Sequence, residues 1–352
     1  MAYGWEELIV LMQRRTLLGV SGVALAAVIQ EWLIADPARI GAALSGRRID
    51  NTIITDLGSR LDALRRMDDA LGGNAIYGVA SEELKLVIRL LKHSSYNEGH
   101  GAALHASAAE LARLTGFAAF DSGRHEAAQR YWALGLRAAH EAGQPALGAN
   151  IIRNMAEQAT WYGNPVHAVG MLRAARAGAR GTMTATEAAA NAGALAQAHG
   201  RAGNRGAAHA AIDEAYGLIE QRRPAEDPAY VYWIGPSVIA FWASEALLSS
   251  GNPAAAIPHF EQVIASVDAS LPRDQVEYLA RFGIAHTRAG NPEAGLELGR
   301  EVVDQAARLS SQLARHDLQV LQQELTATGH PGTGELADYA RATLPPAATT
   351  IP

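Results

Sequence analysis

The chain has 352 residues, of which 49% are hydrophobic and 6% aromatic, so a sizeable core must be built from small aliphatic side chains. A formal net charge of −6, with no long run of one sign, excludes broad nucleic-acid binding by this chain alone, since phosphate contacts need a basic face. Cysteine is absent, which excludes disulfides and thiol chemistry without choosing a compartment.

Residues 1–35 read as a leading helix or linker. Within them Gln13-Arg14-Arg15-Thr16-Leu17-Leu18-Gly19 resembles a twin-arginine export signal, followed by an apolar run over 20–29 with Ala24-Leu25-Ala26 as a small-residue cleavage site. Against export, Glu6 and Glu7 stand where a signal should be basic, and residues 8–12 are apolar ahead of the arginines. The uncharged stretch 16–30 is too short to span a bilayer, and no membrane role is expected.

Residues 36–101 read as a degenerate N-terminal hairpin. Ile53, Ile54, Leu57, Leu61 and Leu64 recur at three- and four-residue steps and predict a helix over 50–71, ended by Gly72-Gly73. Ser81, with Glu82 and Glu83 in the first turn, is the expected N-cap of the next helix, whose stripe is Leu84, Val87, Ile88 and Leu91.

Residues 102–328 carry a recurring turn. Gly163-Asn164-Pro165 precedes Ala168, Gly203-Asn204-Arg205 precedes Ala207-Ala208, Gly251-Asn252-Pro253 precedes Ala255-Ala256, and Gly290-Asn291-Pro292 precedes Ala294. Gly123-Arg124-His125 is a weaker first member, and the successive steps are 40, 40, 48 and 39 residues. Self-similarity at this period marks stacked helical hairpins. Each turn places Gly where a helix ends in a left-handed cap, often with Pro at the first position of the next helix. The expected pairs are 102–120 with 125–141, 146–161 with 165–179, 184–201 with 205–221, 229–249 with 253–268, and 273–288 with 292–309. A capping helix is expected over 314–325, and residues 329–352 read as a flexible tail.

The unit resembles the tetratricopeptide repeat (TPR). Gly116, Gly123, Ala128 and Trp132 stand at its signature positions, as do Ala156, Gly163, Ala168 and Leu172, and Ser244, Gly251, Ala256 and Phe260. The resemblance implies an all-α, right-handed superhelical solenoid of helical hairpins. The period near 40 exceeds the usual ~34 and implies longer helices. Stretches 109–116, 127–132 and 136–143 further resemble the repeat region of bacterial helix-turn-helix transcriptional regulators with TPR sensor domains. Residues 14–18 are similar to the linker that follows their DNA-binding head. The thirteen residues before Arg14 are too few for such a head, so the resemblance implies the sensing or scaffold half alone.

No metalloprotease, phosphate-loop, dinucleotide or nucleophile-elbow motif is present, so the chain is read as a non-enzyme with no catalytic, cofactor or metal residues. His100 and His105 sit five apart, a poor face match for a metal, and His199 and His286 fall at equivalent packing positions. The concave groove is the better candidate, lined in such solenoids by the first helix of each hairpin. The repeat register places there Glu110, Arg113 and Phe117, then Asn150, Arg153, Asn154 and Glu157. Gln197 and Arg201 follow from the third unit, Phe241, Trp242 and Glu245 from the fourth, and Glu277, Arg281 and Arg288 from the fifth. Arg113 and Arg153 share one repeat position, and guanidinium groups beside Asn suit a carboxylate or peptide backbone. On any helix face such Arg and Glu also form solvated or intramolecular pairs. Trp161 is expected to plug a gap between helix ends, while Tyr230 to Trp233 is read either as a plug or as an interaction patch. The expected function is binding of a peptide, protein or small ligand in the groove of a cytoplasmic regulator, with homodimerisation open. An exported scaffold is the alternative.

Overall fold

The computed structural model describes residues 43–344 apart from 45, 47, 267–271 and 310. The leading region 1–35 with its twin-arginine-like segment, and the chain from 345 onward, lie outside the described residues. Fourteen α-helices run through the described part, and no strand forms among those residues. They are α1 (Asn51–Leu71), α2 (Gly73–His93), α3 (Glu98–Asp121), α4 (His125–Glu141), α5 (Pro145–Tyr162), α6 (Pro165–Gly178) and α7 (Ala185–Arg201). Then follow α8 (Arg205–Ile219), α9 (Pro236–Ser249), α10 (Pro253–Ser266), α11 (Pro272–Arg288), α12 (Pro292–Ala306), α13 (Gln312–Ala327) and α14 (Thr333–Thr343).

Consecutive helices from α3 to α12 pair as five antiparallel hairpins, and each odd-numbered helix also packs on the next odd one. The result is an all-helical solenoid of two layers, odd helices inside and even helices outside. The signature positions explain the packing. Ala128, Trp132, Ala168, Leu172, Ala256 and Phe260 are all fully buried. A Cβ on Gly116 would lie 2.4 Å from the Trp132 ring, so only glycine lets α3 and α4 approach with tryptophan between them.

Local chemistry sets the helix ends. Asp50 caps α1 by accepting from the Ile53 N–H at 3.1 Å, and Thr184 with Glu187 forms a full capping box on α7. Gly203, Gly251 and Gly290 adopt the left-handed conformation the turn demands. Gly163 does not: its φ is −137°, and a Cβ there would lie 3.3 Å from the Ala159 backbone. Crowding, not handedness, makes that position glycine.

Three other expectations change. Ser81 is no cap but lies within α2, which begins at Gly73; its hydroxyl hydrogen-bonds Tyr131 at 2.9 Å. Residues 229–235 are not helical at the start of α9. A short 3₁₀ turn, Ala229–Val231, precedes Pro236, which opens α9 at its first turn. Residues 333–343, expected within a flexible tail, form α14, which buries Leu336 and Ala340. No helix among the described residues is long and apolar enough to cross a membrane.

Candidate ligand lumen

The inner faces of the solenoid meet across its axis. Arg273 at the start of α11 donates to Asp68 of α1 at 2.7 Å and lies 3.9 Å from Asp69. The Tyr232 hydroxyl, in the loop before α9, donates to the same Asp69. Ser311, the cap of α13, donates to Asp121 at the end of α3, and the Tyr162 ring stands 5.5 Å from His316 of α13. The groove is thereby narrowed to a lumen between α1, α3, α5, α7, α9, α11 and α13. Counted together with the solvent space of its open mouth, it spans about 960 Å³.

One wall is rich in donors. Arg113 on α3 is 6% exposed and makes no side-chain hydrogen bond to any described residue. Its nearest carboxylate, Glu110 at 3.9 Å, is already held by Arg65. Arg153, 4% exposed, donates to Glu157 at 3.2 Å and to the Asn154 carbonyl oxygen, leaving Nε of Arg153 and Nδ2 of Asn154 unpartnered. Its guanidinium lies 5.5 Å from the Trp233 ring and 5.7 Å from Trp242, which themselves pack edge to face. Burial lowers the pKa of Arg113 and of Arg153. Burial and then the Arg113 charge push Arg65 down to about 10. Three arginines thus sit in a dry, mutually repelling group, an arrangement an incoming anion relieves.

The opposite wall is acidic. Glu277 on α11 has no hydrogen bond or ion pair to a described residue. It is half-buried because its accessible surface opens into the lumen, where protein otherwise surrounds it. Burial first, then Asp317, Asp274 and Glu157, hold its carboxyl well above the usual range against the pull of Arg281. Beyond it lies a second recess around Trp161, whose indole is flanked by Arg201 at 4.4 Å and Arg281 at 4.6 Å. There Arg281 is paired with Asp317 at 2.6 Å and Arg288 with Glu324 at 2.7 Å.

Nine of the residues assigned to the groove line the lumen: Arg113, Phe117, Arg153, Asn154, Glu157, Gln197, Phe241, Trp242 and Glu277. Arg201, Glu245, Arg281 and Arg288 line the adjoining recess, and Asn150 a small one beside Arg153. Glu110 stands apart in its pair with Arg65. Of the alternative reading as solvated or intramolecular pairs, the solvated form does not apply to Arg113, Arg153 and Glu245, which are buried. Arg153 does pair with Glu157 at 3.2 Å, and Arg113 loosely with Glu110 at 3.9 Å. Trp161 stands between the two recesses and lines both. The Tyr230 to Trp233 loop is a brace: Tyr230 donates to buried Glu187, Tyr232 to Asp69, and Trp233 packs on Trp242.

The sequence reading missed Arg65, Asp68, Asp69, Arg273 and Asp274. A signal was present. The stripe Leu57, Leu61, Leu64 reaches Asp68 at its next four-residue step, an acid where the register calls for an apolar side chain. The histidines have ordinary partners: His100 meets Asn51 at 2.8 Å and His105 the Gly101 carbonyl at 2.9 Å, while His286 packs 4.5 Å from Phe282.

Fold and site together define a helical-hairpin solenoid with a polar, aromatic-lined lumen. No protein-family model matches the chain, and no curated protein matches it. Among solved structures it is similar to the TPR domain of P58(IPK), with 14% identity, 82% of each chain covered and a TM-score of 0.25. A superposition that loose carries no argument about shape or partner.

Proposed function

We propose that this chain works by binding, its lumen receiving an anionic group borne by a peptide, a partner protein or a small molecule. The observation that carries this is Arg113, a buried guanidinium lining the cavity that makes no side-chain hydrogen bond to a described residue and has only Glu110, at 3.9 Å, as a loose ion-pair partner. Leaving such a group unsatisfied costs more than a typical internal hydrogen bond returns, so a ligand acceptor at this point is the economical explanation. The regulator-like stretches suggest a sensing role in transcriptional control within the cytoplasm. Affinity capture from native lysate tests the reading. Wild-type chain should retain a partner that Arg113→Gln releases, with helicity by circular dichroism unchanged and retention falling as salt rises. Equal capture by both proteins overturns the proposal. Tight binding of duplex DNA by residues 1–352 at moderate salt overturns the sensor-only reading.

A further inference from the structure

The lumen presents two unsatisfied groups of opposite sign, and this extends the anion-binding reading, on which it rests. Nε of Arg113 and the amide nitrogen of Asn154 are buried donors without an acceptor among the described residues, on the α3–α5 wall. Gln197 of α7, 7% exposed, adds an amide with no hydrogen bond to a described residue. Glu277 on α11 is an acceptor with no donor among the described residues, in the same cavity. Between the walls stand the rings of Phe117, Trp242 and Phe241, with Tyr278 packed 4.2 Å from Phe241.

From this we infer that the lumen's ligand is a small zwitterion, of amino-acid to short-peptide size, with a carboxylate at Arg113, an ammonium at Glu277 and an aromatic or flat apolar body between them.

Three observations support that choice over a simple anion or a long helical partner. A carboxylate is planar and takes two donors at once, which suits a guanidinium beside an amide. An ammonium has three donors and no acceptor, which suits Glu277: its neighbours Glu157, Asp274 and Asp317 are held by Arg153, Arg273 and Arg281, whereas Glu277 lines the cavity with no ion pair to a described residue. The contacts of Arg273 with Asp68 and of Tyr232 with Asp69 bridge the groove where a helical partner, about 10 Å across, would have to lie.

The test is calorimetric titration of the full chain with L-tryptophan and with the tripeptide Ala-Trp-Ala, each offered free, N-acetylated and C-amidated. At least one free zwitterion should bind, and blocking either end should weaken it tenfold or more. Arg113→Gln should erase the difference between acid and amide while keeping that between amine and acetamide. Glu277→Gln should do the reverse, and circular dichroism should report both variants as folded. If acetylated and free forms bind alike, the ammonium contact is wrong while anion binding at Arg113 survives. If amide and acid bind alike, the reading of Arg113 itself fails. No binding by any probe at millimolar concentration overturns the zwitterion assignment, and the lysate capture with Arg113→Gln then decides the anion reading separately.

Discussion

Asp121 shows how a single carboxyl couples the interior to pH. It is fully buried, accepts from the Gly73 amide and from Ser311, and burial pushes its pKa up to about 6 despite Arg273. Asp69 is raised to about 6 for the same first reason, opposed by Arg273 and Tyr232. A carboxyl whose folded pKa lies above its unfolded value stabilises the fold below the unfolded pKa, and that contribution is lost as pH rises through the folded one. For Asp121 the window runs from about 4 to about 6, and a shift of about two units corresponds to roughly 2–3 kcal/mol. Asp121→Asn removes this titration. Melts from pH 4 to pH 7.5 should therefore show wild type gaining on the variant as the pH falls; a constant difference across the window would contradict the raised pKa.

At the scale of the element, the turns and the hairpins were legible because they depend on local chemistry. Glycine spacing located four of the left-handed caps, and the expected 125–141 helix coincides with α4 because a cap and an amphipathic stripe bound it. What was not legible depended on distant partners. Residues 229–235 look helical by composition, yet their tyrosines are drawn to Glu187 and Asp69, and Pro236 sets the true start of α9. Arg113 and Arg153, at one repeat position, both line the lumen, but their burial follows from the opposite wall, which no local pattern encodes. The difference between turns is itself testable. Gly203 has φ +75° and open space around it, so Gly203→Ala should cost about 1 kcal/mol through conformation alone. At Gly163 the penalty is steric and should grow from Ala to Val. If the two alanine variants and the valine variant all melt alike, the distinction between handedness and crowding is wrong.

For the molecule as a whole, Arg273 is the joint. Burial opposes its charge, but Asp68, Asp274, Asp121 and Asp69 outweigh that and hold its pKa well above the ordinary value. Arg273→Gln would leave several buried carboxylates without their cation, a loss of roughly 3–5 kcal/mol by analogy with other broken buried pairs. The deficit should be largest at neutral pH and shrink toward pH 5, where the abandoned acids take up protons. Thermal melts of variant and wild type at the two pH values check this. A deficit independent of pH would mean that Arg273 acts through packing alone.

The same joint sets an order of events during synthesis. Asp68 and Arg273 are 205 residues apart, whereas each hairpin closes over a few tens. As the chain leaves the ribosome the hairpins are able to stack one on another, since each needs only its neighbour. The wall supplied by α11 does not exist until most of the protein has been made. Until then the acids of α1 and the arginines of α3 and α5 face water, and there is nothing for a ligand to enter. Competence to bind therefore arrives late, with the closure of a loop of 205 residues.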